Sequence, residues 1–228
     1  LEASIAIAVT VNSLESVRGY ANLGNALVDS GALERAFEVY ENGRRAANRF
    51  GDVDRIKWFD AERMYECYWK GRWDELTQLA DQFLVRVEAG DPSALEMDAR
   101  LLRGRVRLGR DQRGEALEDS ARALELGRRA AYPEMIVPAL ALHARILEAA
   151  CRRDEAMVCV EELLSLWPDQ CPSSYWVADA AFALHSLGLS ERLLEAADRA
   201  RTASRWLDAA TAVAKGEFQR AAGSFGDR

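Results

Sequence analysis

The sequence predicts an all-α protein in which antiparallel helix pairs stack as repeats, and three observations indicate this fold class. The stretch GALERAFEVY, which begins at Gly31, returns 40 residues later as GRWDELTQLA from Gly71, with the same order of turn, charged and apolar positions. A second series of turns has nearly the same spacing. No segment shows the sustained apolar–polar alternation of a half-buried strand. Two interleaved series of turns with one period of about 40 residues indicate two helices in each repeat.

The turns place the helices in chain order. They are VNSLE, SGALE, FGDVD, KGRWD, AGDPS, RDQRG, AAYPE and CRRDE. Between them, apolar residues keep the i, i+3, i+4, i+7 spacing of a helix with one apolar stripe. The predicted helices cover residues 1–11, 14–29, 32–50, 53–70, 73–89, 93–108, 112–130, 134–150, 153–166, 175–187, 190–203, 205–215 and 217–224.

Small residues recur where the two helices of a pair are expected to cross. Ala36, Ala116 and Ala156 occupy equivalent positions in three repeats, and Leu76 occupies the same position in a fourth. Because the distance between packed helices depends on the side chains at the contact, we expect these positions to be buried. Pro138 lies inside a predicted helix and is expected to delay the start of that helix or to kink it.

The first repeat resembles a tetratricopeptide repeat (TPR). The residues that carry this resemblance are Tyr20, Leu23, Gly24, Leu27, Gly31, Ala36 and Tyr40. The longer period, together with GRWDEL, ALEDSARALELGRRA and WLDAATAVAKGEFQRAAGSFGD, resembles the C-terminal repeat region of large bacterial ATPase regulators. Such regions accompany a class III adenylate/guanylate cyclase domain or a DNA-binding output domain of the LuxR or maltose-activator type. The resemblance implies a right-handed α-solenoid of TPR-like helix pairs.

We expect a single solenoid over residues 1–228, and we interpret it as a fragment of a longer protein. Its repeats would be at about 14–50, 53–89, 93–130, 134–166, 175–203 and 205–224. Residues 1–11 would then be the remnant helix of an upstream repeat. An upstream repeat would cover the apolar residues of this helix, so in the fragment they form an exposed edge that is expected to allow dimers. These residues are Ile5, Ile7, Val9 and Val11.

Composition and charge exclude several classes of function. A formal net charge of -7 argues against a direct nucleic-acid or anionic-membrane partner. The longest apolar run, IAIAVTV, is too short to span a bilayer. The 4 cysteines form no Cys-x-x-Cys pair and only 2 histidines are present, so we expect no metal site. Three cysteines fall in helical patterns and are expected to be buried thiols, which favours a reducing, cytoplasmic location.

Sequence motifs of catalysis are missing. The chain contains no phosphate-binding loop of the G-x-x-x-x-G-K-[ST] type, no G-x-G-x-x-G and no G-x-S-x-G elbow. Neither His143 nor His185 lies in a local nucleophile motif. We therefore predict that this chain is not itself an enzyme, that it has no catalytic residues and that it needs no cofactor. A parent protein with cyclase or ATPase activity is what the resemblance implies.

Aromatic residues on the first helix of the second repeat are the leading candidates for binding. They are Trp58, Tyr65, Tyr68 and Trp69. The last three are spaced i, i+3, i+4, which places them in one patch of a helix. In the resemblance, first helices line the concave groove of the solenoid, and aromatic side chains are enriched at interaction hot spots. The alternative is that these rings pack between repeats.

Two further groups of polar residues could bind a partner. A basic stripe at spacings of 3, 4 and 3 lies on one helix face and could receive an acidic peptide, a phosphate or another domain. Its members are Arg100, Arg103, Arg107 and Arg110. The alternative is a solvated face balanced by Glu115, Glu118 and Asp119. Arg18, Asn22 and Asn25 form the other group, because the resemblance places similar residues in the concave groove, where they hold peptide carboxyl termini.

The leading functional hypothesis is a protein–protein interaction or regulatory scaffold within a larger bacterial signalling protein. Its partner would be a protein, a peptide or another domain of the same parent chain. One alternative is a small-molecule-sensing repeat domain of a transcription activator. Another is the non-catalytic arm of a multidomain adenylate/guanylate cyclase.

Overall fold

The computed structural model describes residues 2–10, 13–91, 93, 95–167, 169–171, 174–200 and 204–225. Within these ranges the chain forms thirteen helices and no strand, and consecutive helices pack against one another in pairs. The all-α prediction is therefore confirmed, and the observed helices agree closely with the predicted ones. Among the helices described, none is both long and apolar enough to cross a membrane.

The chain divides into two compact units, Leu1–Ala89 and Gly90–Arg228. Unit 1 contains α1 (Glu2–Thr10), α2 (Glu15–Ser30), α3 (Leu33–Phe50), α4 (Val53–Trp69) and α5 (Trp73–Glu88). Unit 2 contains α6 (Glu96–Gly109), α7 (Arg113–Ala130), α8 (Pro133–Ala149), α9 (Arg153–Leu166), α10 (Val177–Ser186), α11 (Ser190–Arg199), α12 (Arg205–Ala214) and α13 (Phe218–Phe225). The single solenoid over residues 1–228 stays a prediction.

Short turns with a left-handed residue reverse the chain between helices. Their positive-φ residues are Gly31, Gly51, Gly71, Asp111, Ala131, Cys151, Gly188 and Gly216. After α2, for example, the N–H of Gly31 donates to the carbonyl of Val28 at 2.9 Å, and the N–H of Ala32 donates to that of Leu27 at 2.8 Å. This pair of bonds satisfies the last carbonyls of the helix. A connection this short makes successive helices antiparallel neighbours.

Close helix contacts in unit 1 depend on small residues. Ala36 is fully buried on α3, as the repeat pattern predicts. Gly24 on α2 lies against the ring of Tyr40, and a Cβ at Gly24 would overlap that ring. The hydroxyl of Tyr40 donates a hydrogen bond of 2.7 Å to Oδ1 of Asn25, which fixes the ring over the glycine. The resemblance to the TPR pattern at these positions thus coincides with a tight α2–α3 contact.

Unit 2 is organised around α8, which packs against α7, α9 and α10. Residues of α8 from Val137 to Leu147 supply much of the buried core of unit 2. The helix runs without interruption from Pro133 through Pro138, so the predicted delay of its start is wrong. Pro133 is pre-organised for the first turn. The helix bond that Pro138 lacks would have ended at the carbonyl of Glu134, in the first turn of the helix.

The cysteines and the edge of α1 differ in part from what the sequence predicts. Cys67, Cys159 and Cys171 are buried, but Cys151 is exposed because it occupies the left-handed turn after α8 rather than a helix. All four are free thiols. The apolar edge of α1 is only partly exposed. Ile5 packs against Gly19, whereas the side chain of Ile7 is 67% exposed.

Val9 is 38% exposed, and Val11 lies outside the described residues. A dimer through this edge therefore stays a prediction.

Candidate binding site

The structure separates the four predicted aromatic residues. Tyr65 is buried in unit 1, with 8% of its surface exposed. Trp58 packs edge-on against Tyr40 across the α3–α4 contact, with ring centroids 5.5 Å apart. Trp58, although half-buried, therefore follows the alternative in which these rings pack between repeats, and Tyr65 is withdrawn from the surface. Tyr68 and Trp69 remain as surface candidates.

Tyr68 and Trp69 belong to a cluster at the turn between α4 and α5. Their rings are in edge contact at 5.2 Å, and the ring of Trp73 stacks on that of Tyr68 at 6.4 Å and 12°. Nε1 of Trp73 donates to the carbonyl of Tyr68 at 3.3 Å. All three side chains are half-buried. We call Tyr68, Trp69 and Trp73 the turn aromatic cluster.

Sequence reasoning missed Trp73 as a member of this cluster. The signal was present in the motif GRWDEL, where Trp73 follows Trp69 by four residues on the far side of Gly71. Gly71 has φ of +68°, and this left-handed turn brings the end of α4 and the start of α5 together. An aromatic residue on each side of such a turn is thus placed on one surface.

Two members of the polar group on α2 have partners within unit 1. Arg18 pairs with Glu15 at 2.6 Å, and Asn25 accepts the hydroxyl hydrogen of Tyr40 at 2.7 Å. Asn22 is exposed. Two of the three side chains are thus engaged by neighbours in unit 1, and the resemblance to a peptide clamp gains no support from their contacts.

The basic stripe lies in a buried ion-pair network rather than on an open surface. Nε and Nη2 of Arg103 donate to the two oxygens of Asp119 at 2.9 and 2.6 Å. Arg107 donates to the same carboxylate at 2.7 Å, and Arg100 reaches it at 3.4 Å. Asp119 is 1% exposed. Both sequence interpretations, an open receptor and a solvated face, are therefore corrected for these three arginines.

Gly104 on α6 lies close to Asp119 on α7. A Cβ at Gly104 would lie 3.5 Å from Cβ of Asp119, which is an ordinary van der Waals contact. Arg110, the last member of the stripe, is exposed at the end of α6. The network continues to Glu96, which accepts from Arg100 at 2.9 Å and from Arg122 at 3.1 Å.

Glu96 shows how this network affects ionisation. Its burial alone would raise the pKa of the carboxyl group. The hydrogen bonds from Arg122 and Arg100, together with their charges, outweigh burial and lower the pKa of Glu96. The carboxylate therefore stays charged and continues to hold both arginines.

A second buried carboxylate, Asp179, ties three helices of unit 2 together. It accepts from Nε of Arg105 on α6 at 2.8 Å and from Nη1 of Arg145 on α8 at 2.7 Å. Burial would raise the pKa of Asp179, but the charges of these two arginines outweigh it and lower the pKa. The guanidinium of Arg105 lies 5.3 Å from the ring of Tyr175, and that of Arg145 lies 4.7 Å from the ring of Phe182.

Unit 1 contains a cavity of about 190 Å³ between α3 and α4, which we call the α3–α4 cavity. Its lining combines three aromatic rings with three arginines and three glutamates. The lining residues are Phe37, Tyr40, Glu41, Arg44, Phe59, Glu62, Arg63, Glu66 and Arg72. None of the residues that the sequence predicted for binding lines it.

A wider groove of about 550 Å³ adjoins this cavity and shares Phe37, Glu41 and Glu66 with it. Lys70 occupies part of the groove. Its ammonium lies 3.3 Å from Glu34 and 3.2 Å from Glu66, and 5.6 Å from the ring centroid of Phe37. The groove thus already holds a cation supplied by the chain itself.

No family model, curated protein or solved structure matches this chain. The TPR resemblance accordingly rests on the sequence motifs, and function is argued from the geometry of the described residues.

Two pairs of side chains in the described residues have the residue types of nucleophilic catalysis. Nδ1 of His185 and Oγ of Ser190 lie 3.1 Å apart across the turn between α10 and α11, and the second pair is buried more deeply. Oγ of Ser120 and Nδ1 of His143 are 2.9 Å apart and share a hydrogen bond. Burial, with the nearby charges of Arg152 and Arg128, lowers the pKa of His143 to about 4. Ser120 is fully buried, however, so a substrate has no access to its hydroxyl. Within the described residues no group of histidine, cysteine, aspartate and glutamate could hold a metal ion.

Proposed function

We propose that this chain is a protein-interaction scaffold within a larger bacterial regulatory protein. Its helix pairs would stack as a right-handed TPR-like solenoid, and unit 1 would bind a protein partner through the turn aromatic cluster. The observation that carries the proposal is the incomplete burial of three rings, of which those of Trp69 and Trp73 both contact the ring of Tyr68. Aromatic anchors of this kind are enriched at the centres of protein interfaces.

A comparison within the chain supports this proposal over simple packing. The tryptophans that pack the core of unit 2, namely Trp167, Trp176 and Trp206, are at most 2% exposed. Trp69 and Trp73 in unit 1 are only half-buried, as is Trp58, whose ring packs against Tyr40. A large ring that serves packing alone gains most free energy when it is fully covered. The part of the cluster that stays exposed is the surface that we propose for the partner.

Cysteine chemistry supports a cytoplasmic location for this scaffold. All four cysteines are free thiols, one of them exposed at Cys151. Exposed free thiols persist in reducing compartments and tend to be oxidised elsewhere. We therefore place the proposed interaction in the cytoplasm.

The test is a comparison of captured proteins. The chain, its Trp69→Ala/Trp73→Ala variant and a Phe50→Ala control would each be immobilised and exposed to lysate of the source organism. Phe50 is a half-buried aromatic at the end of α3 and lies outside the cluster. We expect one protein that the parent chain and the control retain and that the double variant loses by at least about tenfold.

Circular dichroism would first establish that the double variant keeps its helix content. Equal retention by the double variant would contradict the role of the cluster. If no protein is enriched by the parent chain over a blank support, the scaffold proposal itself fails.

A further inference from the structure

We infer that a groove between α4 and α5 binds an amphipathic, acidic helix of a partner protein. The inference goes beyond the scaffold proposal, because the groove is a separate surface from the turn aromatic cluster and the chemistry of its occupant is specified. Three observations carry it. Apolar side chains of the groove are incompletely covered, a helix covers the corresponding surface in the next repeat, and the rim of the groove carries an excess of positive charge.

The groove, which we call the α4–α5 groove, has a volume of about 380 Å³. Ala61 and Met64 of α4 line it and are buried. Leu79 and Phe83 of α5 line it as well and are only half-buried. Spacings of three and four residues place each pair on one face of its helix. Part of the apolar surface of α5 therefore stays exposed along the groove.

Unit 2 shows what covers a helix pair in this chain. The helix that follows a pair packs against both of its members: α8 against α6 and α7, α10 against α8 and α9, and α12 against α10 and α11. Such stacking is needed because one helix pair of a repeat cannot bury its apolar face alone. The pair α4–α5 is the last one of unit 1, so no later helix of this unit covers it.

The 40-residue period relates the groove to a covered surface of unit 2. Met64 corresponds to Gly104, and Phe83 corresponds to Ala123. A Cβ at Gly104 would lie 3.6 Å from Cδ2 of Leu142 on α8, and Ala123 is fully buried. The position of Met64 is thus one that a third helix contacts in the next repeat. A helix that lays its apolar face into a groove is accordingly the occupant that matches this surface.

The rim of the groove selects the charge of that helix. Its lining includes three cationic side chains and one carboxylate, which are Lys57, Arg63, Arg86 and Asp60. Arg63 is already paired with Glu75 at 2.6 Å. Arg86 is exposed, its guanidinium lies 5.8 Å from the ring of Phe83, and it forms no ion pair within the described part of the chain. Glutamate or aspartate beside the apolar anchors of the partner would complement this rim.

The length of the groove sets the spacing of the anchors. Its lining runs from Lys57 to Met64 on α4 and from Leu79 to Arg86 on α5. Each segment covers about two helical turns at 3.6 residues per turn. The partner helix should therefore present apolar residues at i, i+3 or i+4, and i+7, with acidic residues on the flank that meets Arg86.

Selection from a displayed library of random peptides, about sixteen residues or four helical turns long, tests the inference on the full chain. We expect the enriched peptides to combine this apolar spacing with acidic residues. Fluorescence anisotropy would then give the affinity of the best peptide. Arg86→Glu should weaken it by at least about tenfold. Arg49→Glu should not, although it changes the net charge equally, because Arg49 stacks on Phe50 at 5.0 Å outside the groove.

A second pair of variants examines the apolar half of the groove. Phe83→Ala should weaken binding of the same peptide, whereas Phe50→Ala should not, since Phe50 is another half-buried ring and does not line the groove. Circular dichroism would first show that each variant keeps its helix content. Arg86 is exposed, so Arg86→Glu remains a test of the groove even if Phe83→Ala fails to fold.

Several results would overturn the inference. These are no enrichment over a blank support, enriched peptides that are basic or lack helical periodicity, and equal affinity for the parent chain and Arg86→Glu. A dimer of the chain alone that Arg86→Glu converts to a monomer would assign the groove to a second copy. The Trp69→Ala/Trp73→Ala variant should bind the peptide like the parent chain. Peptides lost by that variant but kept by Arg86→Glu would overturn this inference while supporting the scaffold proposal.

Discussion

Replacing glycine by alanine is expected to have opposite effects on stability at Gly24 and at Gly114, because their surroundings differ. A Cβ at Gly24 would overlap the ring of Tyr40, which is held by its bond to Asn25. No atom lies within 4 Å of a Cβ at Gly114 in the first turn of α7. We expect Gly24→Ala to lower the free energy of unfolding by about 1–3 kcal/mol through overpacking. Gly114→Ala should raise it by a few tenths to about 1 kcal/mol, because alanine favours the helix.

Urea unfolding followed by circular dichroism measures both changes. The two substitutions serve as controls for each other, since each adds one methyl group to a glycine in a helix. Destabilisation of similar size in both variants would contradict the packing of Tyr40 over Gly24.

At the same scale, charged residues mark the limit of what the sequence predicts. The spacing of Arg100, Arg103 and Arg107 correctly places them on one helix face. Sequence alone assigned Asp119 to a solvated face, because a lone aspartate among glutamates gives no sign of burial. Its burial depends on the packing of α7 against α6, which the local sequence does not specify. The pairing of Arg105 with Asp179, 74 residues apart, has no local signal at all.

At the scale of the element, the left-handed turns allow a paired test. Ala131 and Cys151 have φ of 61° and 59°, a conformation that costs a residue with a Cβ about 1 kcal/mol. Gly51, with φ of 67°, occupies the equivalent turn after α3. We expect Ala131→Gly and Cys151→Gly to raise the melting temperature and to increase the free energy of unfolding by up to about 1 kcal/mol. Gly51→Ala should lower the melting temperature and decrease the free energy of unfolding by a similar amount.

Differential scanning calorimetry on the three variants checks these signs. A Cβ at Gly51 would meet no atom within 4 Å, so a loss of stability there reports backbone conformation and not a clash. Lower stability in both Ala131→Gly and Cys151→Gly would contradict the expectation. It would mean that the entropy that glycine adds to the unfolded chain outweighs the strain it relieves in the left-handed turn.

Helices were predictable because turns and apolar spacing are local. Glycine, aspartate and proline mark the turns, and the 3.6-residue periodicity fills the segments between them. The direction in which individual side chains point was not predictable from the sequence, as Trp58 and Tyr65 show. Both lie on α4 at the predicted spacing, but which face of α4 meets α3 and α5 depends on packing between elements. The α3–α4 cavity was missed for the same reason, since its lining comes from separate helices.

At the scale of the whole molecule, the response of stability to pH follows from His143. Its pKa is lowered to about 4 in the folded chain, against 6.5 for an unperturbed histidine. Between these values the unfolded chain binds a proton that the folded chain does not. The free energy of unfolding therefore falls as the pH decreases from 6.5 towards 4. The buried carboxylate Asp179 acts at lower pH, because its lowered pKa stabilises the fold until the pH falls below 3.8.

His143→Gln isolates this contribution. Glutamine can still bond to Ser120 but has no proton to bind in this range. The free energy of unfolding would be measured in urea at pH 7 and at pH 5. Between these values the parent chain should lose on the order of 1 kcal/mol more of this free energy than the variant does, once solvent screening is allowed for. The comparison uses the difference between two pH values, so a uniform loss of stability in the variant does not affect it. An equal pH dependence in both chains would mean that His143 is protonated as easily in the folded chain as in water, and that the Ser120–His143 contact opens to solvent.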